Sequence, residues 1–474
     1  MTHANITTFG ELKASGYTQK SIKDELRQNL ILKLRAGENP FPHIFGYDHT
    51  VIPELQRAIL SKHNINLLGL RGQAKTRIAR LMVDLLDEWI PIIEGSEVND
   101  DPFNPISFYG KQKINELGDS TPISWLNKNK RFSEKLATPD VSVADLIGDV
   151  DPIKAANLKL SYADERVIHF GMIPRANRCI FVINEIPDLQ ARIQVALLNI
   201  LQEGDVQIRG FQYRFPLDMH FVFTANPEDY TNRGSIITPL KDRIGSQILT
   251  HYPDNIDLAK QITNQEVKLD SNQRSEIYIP DLAQDIVEQI SFEARDSEFI
   301  DGKSGVSARL SISALENLYS AAELRMLKGG YSNTKIRLSD FQALIPAMTG
   351  KMELVYEGEQ EGPRFVAEQL ISAAIKTRFE ALMPKIPKFE KEGVETEYTK
   401  VQEWFKNNKT VELTDELTDE EYEKVLSDIQ PLNHLVEYYQ PFLDAKDHPF
   451  FKEFVLWALV EAKKLSKSSL MEHY

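Results

Sequence analysis

The sequence INLLGLRGQAKT at residues 65–76 gives the most direct indication of the fold class. Its first five residues, 65–69, form a short apolar run typical of a buried strand, and residues 75–89 have a helical pattern. A glycine-containing turn between a strand and a helix can bind phosphate, because the helix N-terminus offers free N–H groups and a positive dipole. We expect Lys75 to reach the β- and γ-phosphates of a nucleotide and Thr76 to bind Mg²⁺. The nucleotide-contacting residues predicted in this turn are Gly69, Gly72, Gln73, Ala74, Lys75, Thr76 and Arg77.

The turn departs from the usual pattern at Ala74, because a glycine normally precedes the lysine. Only a positive φ requires glycine, so alanine is tolerable here if it already has helical dihedrals. We therefore expect right-handed helical dihedrals at Ala74.

Three further apolar runs predict strands, at residues 179–183, 221–225 and 247–250. The first is followed by Asn184 and Glu185, and the second by Asn226. Two acidic residues after such a strand usually hold Mg²⁺ and polarise water, respectively. Here the first is an amide, which can hydrogen-bond a metal-bound water but contributes no charge. We expect Glu185 to be the general base and Asn226 to orient the attacking water. The predicted metal site consists of Thr76, Asn184 and Glu185.

Three arginines are candidates for contacting a nucleotide phosphate. Arg243 ends the sequence LKDR and can act as an arginine finger that reaches the γ-phosphate of a neighbouring subunit. Arg233 is the rival candidate for that role. Arg309 opens a helix in the later helical region, where it can contact phosphate from a lid.

The order of these patterns predicts four regions. Residues 1–40 form a helical segment, and residues 41–253 form an α/β domain with a largely parallel sheet. Residues 254–355 form an all-helical domain, and residues 356–474 form an acidic helical region that opens with a charged linker at 356–363. Helices are predicted at 189–202 and at 311–327, with capping boxes at 339–342 and 418–421. The stretch 95–159 has weak periodicity, so it predicts inserted elements without defining them.

Composition excludes several classes of protein. The chain has 474 residues, 55 Lys plus Arg and 70 Asp plus Glu, so its net charge is −15 and general nucleic-acid binding is disfavoured. Its single cysteine, Cys179, excludes internal disulfides and cysteine-pair zinc sites. No apolar run reaches the ~18–20 residues that a membrane span needs, and the N-terminus does not resemble a signal peptide. We expect a cytoplasmic protein that does not enter membranes.

Taken together, these motifs resemble AAA+ ATPases of the magnesium chelatase I-subunit/MoxR group. The resemblance is carried by GLRGQAKT (69–76), by IFVINEIPDLQARIQVALLNILQEGDVQIRG (180–210) and by FVFTANPEDYTNRGSIITPLKDRIGSQI (221–248). Residues 145–169 resemble the insert before the second motif, and 207–214 resemble a β-hairpin of the family. The implied fold is a P-loop NTPase core, AAA+ with inserts, followed by an all-α lid.

The resemblance also implies residue roles and the cofactors ATP and Mg²⁺. Lys75 and Thr76 take the Walker A roles, and Asn184 and Glu185 take the Walker B roles. Asn226 is sensor 1, Arg243 is the arginine finger and Arg309 is sensor 2. The adenine pocket is lined by Phe45, Gly46 and Tyr47. The implied assembly is a homo-oligomeric ring, six being the family habit, and the implied partner is a separate protein with a von Willebrand factor A domain.

Three functions stay open at this point. The first is a ring ATPase that remodels or activates a partner protein. The second is a nucleotide-gated assembly scaffold with little hydrolysis, because Asn184 removes a carboxylate from the metal site. The third is the motor subunit of a metal chelatase. Beyond about residue 362 the sequence matches no family pattern.

Overall fold

The computed structural model describes residues 6–162, 164–208, 214–227, 235–386, 396–407 and 410–466. The chain divides into two compact units, Met1–His251 and Tyr252–Tyr474. Among the described residues, each helix is either too short or too polar to cross a lipid bilayer.

The first unit alternates helices and strands. Its helices are α1 (Phe9–Ala14), α2 (Ile22–Arg35), α3 (Val51–Leu60), α4 (Lys75–Leu81), α5 (Phe108–Leu117), α6 (Val143–Leu146), α7 (Pro152–Leu158), α8 (Met172–Arg175), α9 (Ala191–Glu203) and α10 (Thr238–Arg243). Its strands are β1 (Ile65–Leu68), β2 (Trp89–Ile93), β3 (Ile123–Asn127), β4 (Phe132–Leu136), β5 (Gly148–Val150), β6 (Ile168–Phe170), β7 (Ile180–Asn184), β8 (Asp205–Gln207), β9 (Arg214–Pro216), β10 (His220–Ala225) and β11 (Ser246–Leu249).

A five-stranded parallel sheet forms the centre of this unit, in the order β11-β1-β10-β7-β4. Successive side chains of a strand point to opposite faces, and both faces of this sheet are covered. In β10, Phe221 and Phe223 belong to one hydrophobic cluster, whereas Val222 belongs to the cluster on the other side. Burial on both faces explains why the central strands are almost wholly apolar, and it confirms the predicted α/β core with a parallel sheet.

Helix α2 is anchored to the sheet by a buried ion pair as well as by apolar packing. The guanidinium of Arg131, just before β4, donates to both carboxylate oxygens of Glu25 at 2.6 and 2.8 Å, and its Nε donates to the carbonyl of Arg178. Both partners are almost fully buried. Ile22, Leu26 and Leu30 of the same helix contribute to the hydrophobic cluster on this face of the sheet.

The second unit is almost entirely helical. Its helices are α11 (Ile256–Glu266), α12 (Ser271–Glu276), α13 (Asp281–Asp296), α14 (Arg309–Gly329), α15 (Ile345–Thr349), α16 (Tyr356–Glu361), α17 (Pro363–Leu382), α18 (Glu397–Asn407), α19 (Asp419–Ser427), α20 (Gln430–Tyr439) and α21 (His448–Glu461). Two short strands, β12 (Ile277–Tyr278) and β13 (Thr334–Lys335), pair in parallel.

The C-terminal helices share one hydrophobic core with the helices that precede them. The cluster runs from Val267 to Leu459 and includes residues of α13, α14, α17 and α21. Two ion pairs add to this packing: Arg325 and Asp340, both buried, are 2.9 Å apart, and the buried Arg337 binds the partly exposed Asp419 at 2.9 Å. The acidic C-terminal region therefore packs as part of a compact helical unit.

Several predicted elements need correction. The helix predicted at 75–89 ends as α4 at Leu81 and continues as a 3-10 helix, Met82–Leu85, whereas Trp89 begins strand β2. Pairing overrides the local helical pattern here, because Trp89–Ile93 pairs antiparallel with β3 and buries Ile90 and Ile93. The linker predicted at 356–363 contains helix α16, and only Gly362, with φ 94°, interrupts the helices there.

The two predicted capping boxes have different outcomes. Thr418 caps α19 as predicted, because its hydroxyl accepts from the N–H of Glu421, whose carboxylate accepts from the N–H of Thr418. The box predicted at 339–342 is wrong. There a 3-10 helix, Leu338–Leu344, begins two residues earlier, and the N–H of Arg337 donates to Asp340 Oδ2 at 2.8 Å.

Candidate nucleotide-binding site

The predicted site residues from three separate motifs meet at one edge of the sheet. Strands β7, β10 and β1 are neighbours and parallel, so their carboxyl ends lie side by side. Asn184 ends β7 and Glu185 follows it, Asn226 follows β10, and the turn 69–74 follows β1. In open parallel α/β sheets, ligands bind outside the carboxyl ends of the strands.

A chain of hydrogen bonds joins the lysine of the turn to the predicted base. Lys75 is only 8% exposed, and its Nζ donates to Asn226 Oδ1 at 2.6 Å. The Nδ2 of Asn226 in turn donates to Glu185 Oε2 at 2.9 Å. One amide group therefore links the ammonium and the carboxylate.

The same ammonium also binds the backbone of its own turn. Lys75 Nζ donates to the carbonyl of Leu70 at 3.1 Å and to the carbonyl of Gly69. These acceptors are neutral carbonyls, whereas a phosphate oxygen is charged and forms a stronger hydrogen bond with an ammonium. The arrangement therefore holds a buried cation whose hydrogen bonds can be exchanged for bonds to a phosphate.

Backbone conformation in the turn depends on two glycines and on one strained alanine. Gly72 has a φ of 74°, and a Cβ on Gly69 would lie 1.9 Å from Thr250 Oγ1 and 2.2 Å from Gln73 Oε1. Ala74 has a φ of 56° and a ψ of 15° and is the N-cap of α4. The expectation of right-handed dihedrals at Ala74 is therefore wrong. The glycine usual at this position would be free of the strain that the alanine Cβ creates.

One oxygen of Asn184 accepts hydrogen bonds from two hydroxyl groups. Thr76 Oγ1 donates to Asn184 Oδ1 at 3.4 Å, and Thr224 Oγ1 donates to the same oxygen at 3.2 Å. The hydroxyl of Thr224 also accepts from the backbone N–H of Glu185 at 3.1 Å. Glu185 has a φ of 56°, so a second non-glycine residue at this edge of the sheet lies in the left-handed region.

The adenine-pocket candidates lie next to the turn. Tyr47 is buried, and its hydroxyl lies 3.0 Å from the carbonyl of Gln73 and 2.8 Å from the carbonyl of His251. Its ring packs edge-on against the His251 ring, with centroids 4.9 Å apart. Phe45 is half-buried, and Gly46 has a φ of 78°. Contact of these three residues with adenine stays a prediction.

The donors at this edge suit a nucleotide with its magnesium ion. Lys75 supplies a cation for the phosphates, and the hydroxyl of Thr76 and the carboxylate of Glu185 supply oxygen. The described ranges contain no cluster of three or more His, Cys, Asp or Glu side chains that could hold a metal ion. Mg²⁺ often keeps several waters and binds through one or two protein groups and substrate phosphates, so this donor set fits it.

The three candidate arginines and Arg77 of the turn lie in different environments. Arg243, the last residue of α10, donates to Gln202 Oε1 at 2.9 Å and to the carbonyl of Pro239 at 2.8 Å. Arg77 lies in the first turn of α4, where burial lowers the pKa of its guanidinium. Arg309 is the first residue of α14 in the second unit. Arg233 lies outside the described residues. The roles predicted for these arginines stay predictions.

Two threonines with contacts at this edge had no role in the sequence-based prediction. Thr224 bridges Asn184 and Glu185. Thr250, the residue after β11, donates to Gln73 Oε1 at 2.8 Å. A polar residue near the end of an apolar strand, as in FVFTA, is the available sequence signal. Their partners depend on which strands are neighbours, and the sequence does not show that.

Comparison with known proteins places an AAA domain in this part of the chain. Residues 122–244 match the family model "AAA domain (dynein-related subfamily)". The magnesium-chelatase 38 kDa subunit of Rhodobacter capsulatus is 23% identical over 240 residues. That alignment covers 50% of this chain and 63% of the subunit, so the chain spans less than two thirds of this relative's length.

Two solved structures are also similar. A putative ATPase from Cytophaga hutchinsonii is 16% identical, with a TM-score of 0.30, over 76% of this chain and 97% of that one. A model of the complex between subunits BchI and BchD of magnesium chelatase is 20% identical, with a TM-score of 0.34, over 68% of this chain and 98% of that one. The AAA assignment rests on the family model and on the sheet described above.

Proposed function

We propose that this chain, which contains an AAA domain and is related to the magnesium-chelatase 38 kDa subunit, binds and hydrolyses ATP with Mg²⁺. One observation carries the proposal. Lys75, Asn226 and Glu185 come from three separate motifs, and they form one continuous chain of hydrogen bonds at the carboxyl ends of adjacent parallel strands.

Each residue of this chain has a separate task. Lys75 exchanges its carbonyl acceptors for phosphate oxygens and thereby orients the β- and γ-phosphates. Glu185 accepts a hydrogen bond from the attacking water, and Asn226, which contacts both other residues, fixes the direction of the carboxylate. The Thr76 hydroxyl would be one of the ligands that hold Mg²⁺, which would supply positive charge to stabilise the phosphate oxygens.

The trans-acting part of the proposal concerns Arg243. Its guanidinium donates to Gln202 and to a carbonyl of its own helix, and neither of these acceptors belongs to the turn that carries Lys75. An arginine finger acts on the nucleotide of a neighbouring subunit, so the proposed enzyme is a homo-oligomeric ring, six subunits being the working expectation. Arg233 is the alternative finger.

The proposed outcome of hydrolysis is mechanical work on a partner protein. The related subunit belongs to a magnesium chelatase, and by the resemblance a separate protein with a von Willebrand factor A domain is the proposed partner. A metal-chelatase motor is a narrower version of the same proposal.

A second candidate function is a nucleotide-gated scaffold with little turnover, and Asn184 favours it. An amide replaces a carboxylate beside Thr76, so the site has one negative charge fewer to attract Mg²⁺. Replacing Asn184 with aspartate distinguishes the two functions. A large gain in turnover supports the scaffold, whereas little change supports the ATPase.

Steady-state ATP turnover of the purified protein tests the proposal. We expect Lys75→Ala to abolish binding and turnover, and Glu185→Gln to bind ATP but hydrolyse it at least about 100-fold more slowly, because general base catalysis contributes about 10²–10⁴-fold. Glu203→Gln, at the exposed end of α9, is the matched control and keeps wild-type turnover. Equal turnover in wild type and Glu185→Gln would show that the assignment is wrong.

Mass measurement with and without ATP tests the assembly. The proposal predicts a larger oligomer in ATP than without it, and smaller species in Lys75→Ala under both conditions. A monomer in saturating ATP would exclude an arginine finger acting between subunits.

A further inference from the structure

The hydroxyl of Thr224 is placed to control the asparagine that replaces a carboxylate in this site. Thr224 lies in β10 and is 1% exposed. Its Oγ1 accepts from the N–H of Glu185 at 3.1 Å and donates to Asn184 Oδ1 at 3.2 Å. Thr224 therefore contacts both Asn184, the last residue of β7, and Glu185, the next residue in the chain.

The direction of the hydrogen bonds follows from the donors available. A backbone N–H can only donate, so the N–H of Glu185 occupies one lone pair of Thr224 Oγ1, and the Thr224 hydroxyl hydrogen is directed to Asn184 Oδ1. The Thr76 hydroxyl donates to the same oxygen at 3.4 Å. A carbonyl oxygen has two lone pairs, so the two hydroxyls together fill the acceptor capacity of Oδ1.

We propose that Thr224 is a positioning residue that holds the Asn184 amide with its oxygen toward Thr76. The oriented oxygen accepts the hydrogen bond of the Thr76 hydroxyl, so the lone pairs of Thr76 Oγ1 would stay available to Mg²⁺. Asn184 then acts as a fixed acceptor for a metal ligand, and the nucleotide site keeps this function of a carboxylate without its charge. The inference rests on the proposed function, because it assigns a task within the same ATP site.

An asparagine needs such positioning and an aspartate does not. The two ends of an amide differ, since one accepts and the other donates. A rotation of the amide would present a donor to the Thr76 hydroxyl, which could then accept only with a lone pair that Mg²⁺ would need. A carboxylate presents an acceptor oxygen in either orientation. The effect of removing the Thr224 hydroxyl must therefore be large beside Asn184 and small beside aspartate.

Binding of ATP at increasing Mg²⁺ concentration, measured by isothermal titration calorimetry, tests the proposal without relying on hydrolysis. We expect Thr224→Val to raise the Mg²⁺ concentration for half-maximal binding about fivefold, the amount that corresponds to one hydrogen bond. Thr224→Ser, which keeps the hydroxyl, restores the wild-type value. In the Asn184→Asp background, Thr224→Val changes the Mg²⁺ requirement less than about twofold. Aspartate has no amide to be oriented, so the effect that Thr224 exerts through the amide is already absent there.

The matched control is Thr121→Val. Thr121 is also buried in the first unit, and its hydroxyl donates to the carbonyl of Gly118 at 2.7 Å. The control is expected to lower the melting temperature and leave the Mg²⁺ requirement unchanged. If Thr224→Val shifts the Mg²⁺ requirement equally in wild type and in the Asn184→Asp background, the proposal is overturned, because Thr224 would then act only through Glu185 or through packing.

A measurement without nucleotide separates this inference from the proposed function. If the hydroxyl contacts the amide, Thr224→Val lowers the melting temperature more in wild type than in the Asn184→Ala background. Equal drops would overturn the contact itself. Failure of wild type to bind ATP at any Mg²⁺ concentration would overturn the proposed function and the role given to Thr224, whereas the melting comparison would still decide the contact.

Discussion

The strained conformation of Ala74 leads to a prediction in which one chemical change has opposite effects at two positions of one helix. Ala74 precedes α4 with a φ of 56°, whereas Ala79 lies within α4 and is fully buried. Both residues lie in the first unit. Replacing each alanine with glycine removes one methyl group, and the local backbone determines the sign of the effect.

The expected free energies follow from the two backbones. Ala74→Gly relieves about 1.5 kcal/mol of left-handed strain, loses about 0.5 kcal/mol through a more flexible unfolded chain and loses about 0.4 kcal/mol from a partly buried methyl group, a net gain of about 0.5 kcal/mol. Ala79→Gly loses about 1 kcal/mol of helix propensity and about 0.8 kcal/mol of methyl burial, a loss of about 2 kcal/mol. The two variants therefore differ by about 2.5 kcal/mol.

Scanning calorimetry of the protein without nucleotide measures this difference. For a unit of this size, 1 kcal/mol moves the melting temperature by about 2–4 °C, so the two variants are expected to melt about 5–10 °C apart. Wild type lies between them, closer to Ala74→Gly. If Ala74→Gly melts as far below wild type as Ala79→Gly does, Ala74 is not strained in the folded protein.

Three further predictions concern buried groups of the first unit. Glu25→Ala is expected to destabilise this unit by about 3–5 kcal/mol in urea denaturation, because Arg131 stays buried without its partner, and a near-neutral effect would contradict the buried pair. Burial, with a smaller effect of Lys23, lowers the pKa of His220 to about 3. Because folding then favours the neutral ring, the free energy of unfolding of wild type should fall by about 1.4 kcal/mol for each pH unit between pH 6.5 and 3. His220→Leu lacks this loss, so its stability relative to wild type should rise by the same amount as the pH falls. A difference that does not change with pH would refute this. Burial raises the pKa of Cys179 to about 12, so iodoacetamide should label the native protein far more slowly than the urea-unfolded protein, and equal rates would contradict a buried thiol.

The parts of the fold that the sequence predicts are those with a strong local signal. Strands β1, β7, β10 and β11 lie within a residue of the runs predicted for them. For β1, β7 and β10 the signal is strong because strands inside the sheet are covered on both faces and are almost wholly apolar. Strand β4, Phe132–Leu136, had no such signal. It lies at the edge of the sheet and its sequence, FSEKL, is only partly buried.

The site was predictable as a set of residues but not as a set of contacts. Lys75, Glu185 and Asn226 each follow a recognisable strand, so parallel pairing brings them together. The left-handed φ of Ala74 and of Glu185 results from how the turn and strand ends fit together, and no local pattern encodes it. The roles of Thr224 likewise depend on β10 lying beside β7.

The C-terminal region illustrates a long-range contact that local patterns cannot predict. Asp419 lies 82 residues beyond Arg337 in the chain, yet its carboxylate accepts from that guanidinium at 2.9 Å. In the sequence, Asp419 is one of many acidic residues in a helical region, and nothing near it indicates this partner. Its ion pair with an arginine of a distant segment adds to the hydrophobic core that the C-terminal helices share with the rest of their unit.

An experimental structure with a non-hydrolysable ATP analogue and Mg²⁺ would show whether Lys75, Asn226 and Glu185 meet at one bound nucleotide. We expect Lys75 Nζ to leave the carbonyl of Gly69 and bind the β- and γ-phosphates, with the Glu185 carboxylate facing the γ-phosphate across one water. A nucleotide bound elsewhere, or a Lys75 that keeps its present acceptors while the nucleotide is in place, would contradict this expectation.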